Sequence, residues 1–201
     1  MITIVLALVL CVLGLGFSFG WCTLTQWRRT GDTGLRLRAG RVGSVTWWAK
    51  LLFVGALALE LAGPVAALAG LSPMSTLDRP GFRTVGTVLA VVGVLTSIAA
   101  QLDLGGSWRI GVDPRERTDL VTGGIFALAR NPIFTAMVVT AAGLALMVPN
   151  PVALVAVVIL VVSVQLQVRA VEEPYLARTH GPAYAAYTAR VGRFVPLLGR
   201  R

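Results

Sequence analysis

The residues able to do chemistry gather in two polar stretches, 108–134 and 169–196, of an otherwise strongly apolar chain. The second stretch carries the carboxylate pair Glu172-Glu173, with Arg169 three and four positions before it and Arg193 further on. At helical spacing Arg169 shares a face with Glu172 and lies beside Glu173, which suits an ion pair at a membrane edge. His180-Gly181-Pro182 reads as a turn, followed by a short helix over 183–190. That helix puts Tyr184 and Tyr187 on one side, where they suit the headgroup layer. The first stretch offers Gly123-Gly124, a pair that makes a turn or lets backbone approach a ligand closely. It ends in Arg130-Asn131-Pro132, where Pro132 fits the first turn of a helix and Asn131 its N-cap. A third candidate, Glu60, stands alone inside an apolar run, where an acid is either a functional group or a carboxylate hydrogen-bonded or held neutral within the bundle. With one histidine, His180, and two cysteines, no metal-ligand pattern forms.

The elements that position these residues are membrane helices. The chain has 201 residues, 56% of them hydrophobic, and a mean hydropathy of +0.78. A hydrocarbon core of ~30 Å takes about 20 apolar residues to cross. Five stretches meet or approach this: 2–24, 47–71, 85–102, 133–148 and 152–168. The first has no basic n-region and is longer than a signal peptide's apolar core, so it counts as a span. Pro149-Asn150-Pro151 turns the last two into a hairpin, and Pro64 kinks the second. Gly14, Gly16 and Gly20 offer a face for close helix packing. Cys11 and Cys22, about 16 Å apart along one helix, cannot bridge. The expected fold is all-α and polytopic, one membrane domain over 1–201 with N-terminal spans in 1–104 and the polar half in 105–201.

Charge orients it. The net charge is +9, and the cations cluster in 28–50 and in the tail, while the alternate connections hold Arg79 and Arg83 alone. By the positive-inside rule five spans then put the N-terminus outside and both polar stretches in the cytoplasm. Nearly every arginine adjoins a span, which argues for membrane lipids and against nucleic acid as the partner of this basicity.

Taken in order, the motifs form a longer pattern. Leu120-Val121-Thr122-x-Gly124-x-Phe126 precedes Arg130-Asn131-Pro132-x-Phe134; then come Glu172-Glu173-x-x-Leu176 and His180-Gly181-x-x-Tyr184-x-x-Tyr187. This series resembles the isoprenylcysteine carboxyl methyltransferase family and its phospholipid methyltransferase relatives, over about half the chain. The resemblance implies a methyltransferase made of membrane helices that uses S-adenosyl-L-methionine. Its cofactor pocket would lie in the C-terminal half and open to the cytoplasm, with a lipophilic acceptor arriving from the bilayer. Carried over position by position, it assigns cofactor contacts to Thr118, Asp119, Leu120, Val121, Phe126, Arg130, Asn131, Pro132, Ile133, Phe134, Glu172, Tyr184 and Tyr187. Glu172 matches the family's cofactor-binding acid. Arg169 stands nearest, by one residue's displacement, to an arginine that serves the acceptor. Asn131 replaces the family's usual His and Phe134 its usual Tyr, so a proton carrier and a hydroxyl are lost.

Methyl transfer from a sulfonium is an in-line displacement, so alignment supplies much of the rate, up to roughly 7–11 kcal/mol. Neither a metal nor a covalent nucleophile is required. Glu173 is the candidate for orienting or deprotonating an acceptor, with Arg169 and Arg193 beside it, and Arg130 or Arg193 suits a carboxylate. An NADPH-dependent membrane lipid reductase and a non-catalytic membrane scaffold are the competing readings. The arginine-rich usage points to a bacterial source, which favours a small lipophile as acceptor.

Overall fold

The computed structural model describes residues 1–33, 40–105 and 119–200, and among them the protein is a bundle of helices. Helix α1 (Ile2–Thr30) widens into a π turn at Gly16–Trp21 and stops at Gly31, whose φ of 72° only glycine adopts freely. Helix α2 (Val45–Leu68) starts on Ser44, whose Oγ accepts from the Trp47 N–H at 3.2 Å. Helix α3 (Pro80–Leu104) has Pro80 in its first turn. Helix α4 (Pro132–Met147) and helix α5 (Pro151–Leu166) form the hairpin. A second π turn, Gln167–Glu172, joins α5 to α6 (Glu173–Arg190), which bends where Gly181 leaves helical geometry at φ 49°, ψ −122°.

Five spans were expected, and the lengths refine that count. Among the described residues four helical runs are long and apolar enough to cross a membrane: Ile2–Thr30, Val45–Leu68, Pro80–Leu104 and Pro151–Arg190. Helix α4, at 16 residues, reaches only about 24 Å. The run expected to stop at 168 continues to Arg190. Hydropathy ends where charges begin, but a helix needs only backbone geometry, so α6 carries the polar stretch onward from the end of α5. Exposed Val88, Val92 and Leu95 on α3 and Val155, Val158 and Val162 on α5 form apolar outer faces. Acyl chains cover such faces at no cost.

Small residues set the core. Gly86, Ala90, Gly93, Ser97 and Ala100 bury one face of α3, which packs against α4. A side chain at Gly86 would meet the Gly143 carbonyl oxygen at 2.6 Å, and one at Gly93 the Thr140 nitrogen at 2.7 Å. This seam, rather than the glycines of α1, is the close approach. A Cβ at Gly14 makes only ordinary contact with Val94, and those at Gly16 and Gly20 meet nothing within 4 Å. Within the chain, the π turn that begins at Gly16 directs Ser18 and Phe19 toward α3 and α2 and leaves Gly16 and Gly20 without a close neighbour.

Polar side chains staple the rest. Asn150 accepts from the Ala153 N–H at 3.0 Å and donates to the Gly63 carbonyl at 2.9 Å, tying the hairpin to α2 beside Pro64. Ser163 donates to the Ala49 carbonyl at 3.0 Å, and Gln101 donates to Ser18 at 2.8 Å and to Ser97 at 3.1 Å. Each pairs a polar group that hydrocarbon would otherwise strand. Cys11 and Cys22 are both free.

Candidate functional site

The polar end of the bundle closes around one carboxylate. Glu173, the first residue of α6, accepts from Arg193 through both oxygens, Nε–Oε1 at 2.7 Å and Nη2–Oε2 at 3.0 Å. Arg130 Nη1 lies 3.1 Å from the same Oε1. All three side chains are buried, with 2% of Arg130, 7% of Glu173 and 8% of Arg193 exposed. The hydrogen bonds Arg193 donates to Glu173 hold its guanidinium above its ordinary pKa, opposing the effect of burial. Two cations flank one anion, so the triad carries net positive charge into a dry region.

The chain brings Arg193 there by folding the tail back beside the start of α4. Ala129 and Gly192 form a parallel bridge; the Arg130 N–H reaches the Gly192 carbonyl at 2.9 Å and the Asn131 N–H reaches that of Arg193 at 3.1 Å. Thr135 Oγ1 adds a bond to the Phe194 carbonyl at 2.9 Å. The tail then loops so that the Arg193 N–H meets the Leu198 carbonyl at 2.8 Å. Arg130 ties down that loop through Nη2 to the Gly199 carbonyl at 2.7 Å. Asn131 occupies the N-cap position of α4, yet its side chain does not cap the helix. Its Nδ2 donates instead to the Arg193 carbonyl at 3.0 Å. The expected cap is corrected: the Asn131 amide joins its own backbone N–H on the Arg193 carbonyl, which docks the tail instead of capping the helix.

Aromatic side chains wall the triad. Tyr184 and Tyr187 are buried on the inner side of α6 rather than lying at the headgroups. Tyr184 accepts from Arg130 Nη1 at 3.4 Å, and Tyr187 donates to the Phe126 carbonyl at 2.6 Å. Phe126 is buried in the tight turn Gly124–Ala127. That turn is fixed by Asp103 at the end of α3, whose Oδ2 accepts from the Ile125 N–H at 2.8 Å. The carboxylate fills the space a Cβ at Gly124 would need, and Gly124 itself has φ of 56°. Here the glycine pair makes a turn that admits a side chain. Pro132 is buried, while Ile133 and Phe134 are half-buried. Phe134 meets Phe53 edge-on at 6.3 Å, and Phe53 meets Phe19 in the same way.

The remaining expected site residues sit differently. Arg169 is exposed and bonds Gln165 at 2.6 Å, away from Glu172 and Glu173. Glu172 instead accepts from Gln167 at 3.0 Å. The π turn causes this change, because it brings residues five apart together and rotates the acids past the face that α-helical spacing assigns to them. Leu120 and Val121 are half-buried and Asp119 is exposed, all outside regular structure. Thr118 and Trp108 lie outside the described residues. Asp103 and the docked stretch 192–199 were not anticipated. The only sequence signal for Asp103 is an acid closing an apolar run.

This arrangement can hold an anion against the two guanidinium groups. Arg130 Nε is buried with no hydrogen-bond partner among the described residues, and Glu172 offers a half-buried acid nearby in sequence.

Residues 82–183 match the family model for phospholipid methyltransferase. That half of the chain runs from the first turn of α3 to the bend in α6; it includes Asp103, Arg130 and Glu173 and ends before Tyr184. The chain is also similar to protein-S-isoprenylcysteine O-methyltransferase A of Arabidopsis thaliana, 30% identical over 115 residues, or 56% of this chain and 58% of that protein. It thus spans less than two thirds of the length of this curated relative.

Proposed function

This chain belongs to the phospholipid methyltransferase family, and from that premise we propose that it transfers a methyl group from S-adenosyl-L-methionine to a lipophilic acceptor at the membrane. The observation that carries the reading is the buried Arg130–Glu173–Arg193 cluster, built inside and just beyond the matched region. The residues present suit the cofactor. A buried guanidinium nitrogen without a partner among the described residues suits a carboxylate, Glu172 suits an ammonium or ribose hydroxyls, and Phe126, Phe134, Tyr184 and Tyr187 suit an adenine or a sulfonium. When bound, S-adenosyl-L-methionine supplies a methyl group on an already activated sulfur.

The chain's own residues then bind, align and dry the site. Arg130 and Arg193 hold Glu173 from both sides, so Glu173 orients its neighbours rather than serving as a free base. The Tyr184–Tyr187 wall and the docked tail exclude water, which strengthens every charge interaction inside. Asn131 spans tail and helix, and its amide cannot take up or release a proton as an imidazole would. Thr118, Asp119, Leu120, Val121, Pro132 and Ile133 are assigned to cofactor contact by the resemblance alone. Arg169, exposed and turned toward Gln165, would serve the acceptor only after a change of rotamer. We place the protein in a bacterial cytoplasmic membrane with its N-terminus outside and the cluster on the cytoplasmic side, an orientation that takes α4 as a short fifth crossing beside the four longer runs. The arginines of 28–50 and of the tail support that orientation.

Membranes carrying the protein, incubated with S-adenosyl-L-methionine labelled in its methyl group, should move label into the organic phase. S-adenosylhomocysteine should suppress that transfer. Label that stays wholly with the cofactor across a range of membrane lipid and prenyl acceptors would refute this function.

A further inference from the structure

The docked tail presents an apolar surface that the described part of the bundle leaves open. Phe194 packs against the buried cluster around Leu160 and Val164, while Val195, Leu197 and Leu198 are 49%, 67% and 66% exposed. The loop that shows them is firmly held. The Arg193 N–H donates to the Leu198 carbonyl at 2.8 Å and the Leu198 N–H to that of Val195 at 3.2 Å. Arg130 Nη2 donates to the Gly199 carbonyl at 2.7 Å, and a Cβ at Gly192 would meet the Leu198 carbonyl oxygen at 2.7 Å. Leu197 has a φ of 69°, a region that bulky L residues rarely adopt. Backbone so constrained, carrying side chains that stay exposed, displays them rather than buries them, and a displayed apolar patch marks an interaction site.

Position, continuity and charge make the partner a lipid surface. Thr135, in the first turn of α4, holds the Phe194 carbonyl, so the loop lies at the end of the bundle where α1 stops and α2 and α4 begin. Exposed Trp27 and Trp48 stand at that same end, as side chains of the headgroup layer do. The lipid-facing side of α3 leads toward the loop. Leu95 and Leu102 are exposed one heptad apart, Asp103 then bonds the Ile125 N–H, exposed Leu128 follows, and Ala129 bridges Gly192. Exposed Arg190 and Arg200 flank the loop, and guanidinium groups suit phosphate. We propose that Val195, Leu197 and Leu198 insert among the headgroups of an anionic leaflet, with Arg190 and Arg200 on its phosphates, and that this contact keeps the tail docked on Arg130 and Asn131. The inference requires a membrane-spanning chain and does not depend on methyl transfer.

The test places the full chain in nanodiscs of phosphatidylcholine, with or without phosphatidylglycerol. An environment-sensitive fluorophore on Leu197→Cys should be quenched by doxyl-labelled lipid and shielded from aqueous iodide. The unsubstituted protein, whose Cys11 and Cys22 are buried, gives the labelling background. Omitting phosphatidylglycerol should speed hydrogen exchange of the 192–199 amides, by about fivefold for each arginine engaged. Leu197→Ser combined with Leu198→Ser changes two exposed side chains, so the protein should fold. It should speed the same exchange at least about tenfold in the anionic discs while α4 and α5 stay as protected as in the parent. Iodide quenching in place of lipid quenching would overturn the proposal. So would exchange of 192–199 that ignores phosphatidylglycerol or the double substitution, or protection lost equally in α4 and α5.

Discussion

Replacing Glu173 with alanine should lower the stability of the folded protein by about 3–5 kcal/mol, the cost of removing one member of a buried ion pair. The side chain is 7% exposed and stands between two guanidinium groups that are 2% and 8% exposed. Without it Arg130 and Arg193 repel each other in a dry pocket. The damage should spread along the tail. Arg193 would lose its anchor, and with it the stretch from Gly192 to Gly199 that Arg130 and Asn131 hold by hydrogen bonds. Unfolding by detergent titration measures the loss, and limited proteolysis shows whether the tail has come free. Arg193→Met should cost less when made in the Glu173→Ala background than alone, since the pair is already broken. A Glu173→Ala protein within 1 kcal/mol of the parent, with its tail still protected, would show the triad to be incidental.

The second large effect lies at the helix seam. Gly143→Ala places a Cβ 2.6 Å from the Gly86 carbonyl oxygen and 2.9 Å from the Ala90 Cα, and in contact with the Ala90 nitrogen. These are backbone atoms of a packed helix and cannot swing aside. Helices α3 and α4 must separate, which costs about 1–3 kcal/mol or more. The shift also moves Asp103 at the end of α3 relative to Pro132 at the start of α4, loosening the Gly124–Ala127 turn that presents Phe126. Gly16→Ala, on α1, meets nothing within 4 Å, and its stability should stay within about 0.5 kcal/mol of the parent. Equal stability losses for the two substitutions would contradict the seam.

Much of this was legible in the sequence because the signals were local. Pro149-Asn150-Pro151 announces a hairpin, and Asn150 is its cap. Arg130, Tyr184, Tyr187 and Glu173 were marked by motif order, and the structure brings them to one place. What stayed hidden depends on contacts distant along the chain or on non-standard helices. The return of Arg193 to Arg130 joins residues 63 positions apart through backbone bonds, which no side-chain pattern encodes. The Arg169–Glu172 pairing assumed α-helical spacing, and a π turn replaced it with a Gln167–Glu172 contact five apart. The packing glycines were sought on α1, whereas the seam uses Gly86 and Gly93 of α3 and Gly143 of α4. Only knowledge of which helices touch separates the two sets.

The account rests most on the polar cluster being a cofactor site, and ligand binding reads that directly. The detergent-purified protein should be stabilised by S-adenosylhomocysteine, by about 2.7 kcal/mol at 100 times its dissociation constant, and not by NADPH. Glu172→Ala should abolish most of that stabilisation while leaving the unliganded protein folded. Stabilisation by NADPH instead, or none by S-adenosylhomocysteine at any concentration reached, would contradict the account.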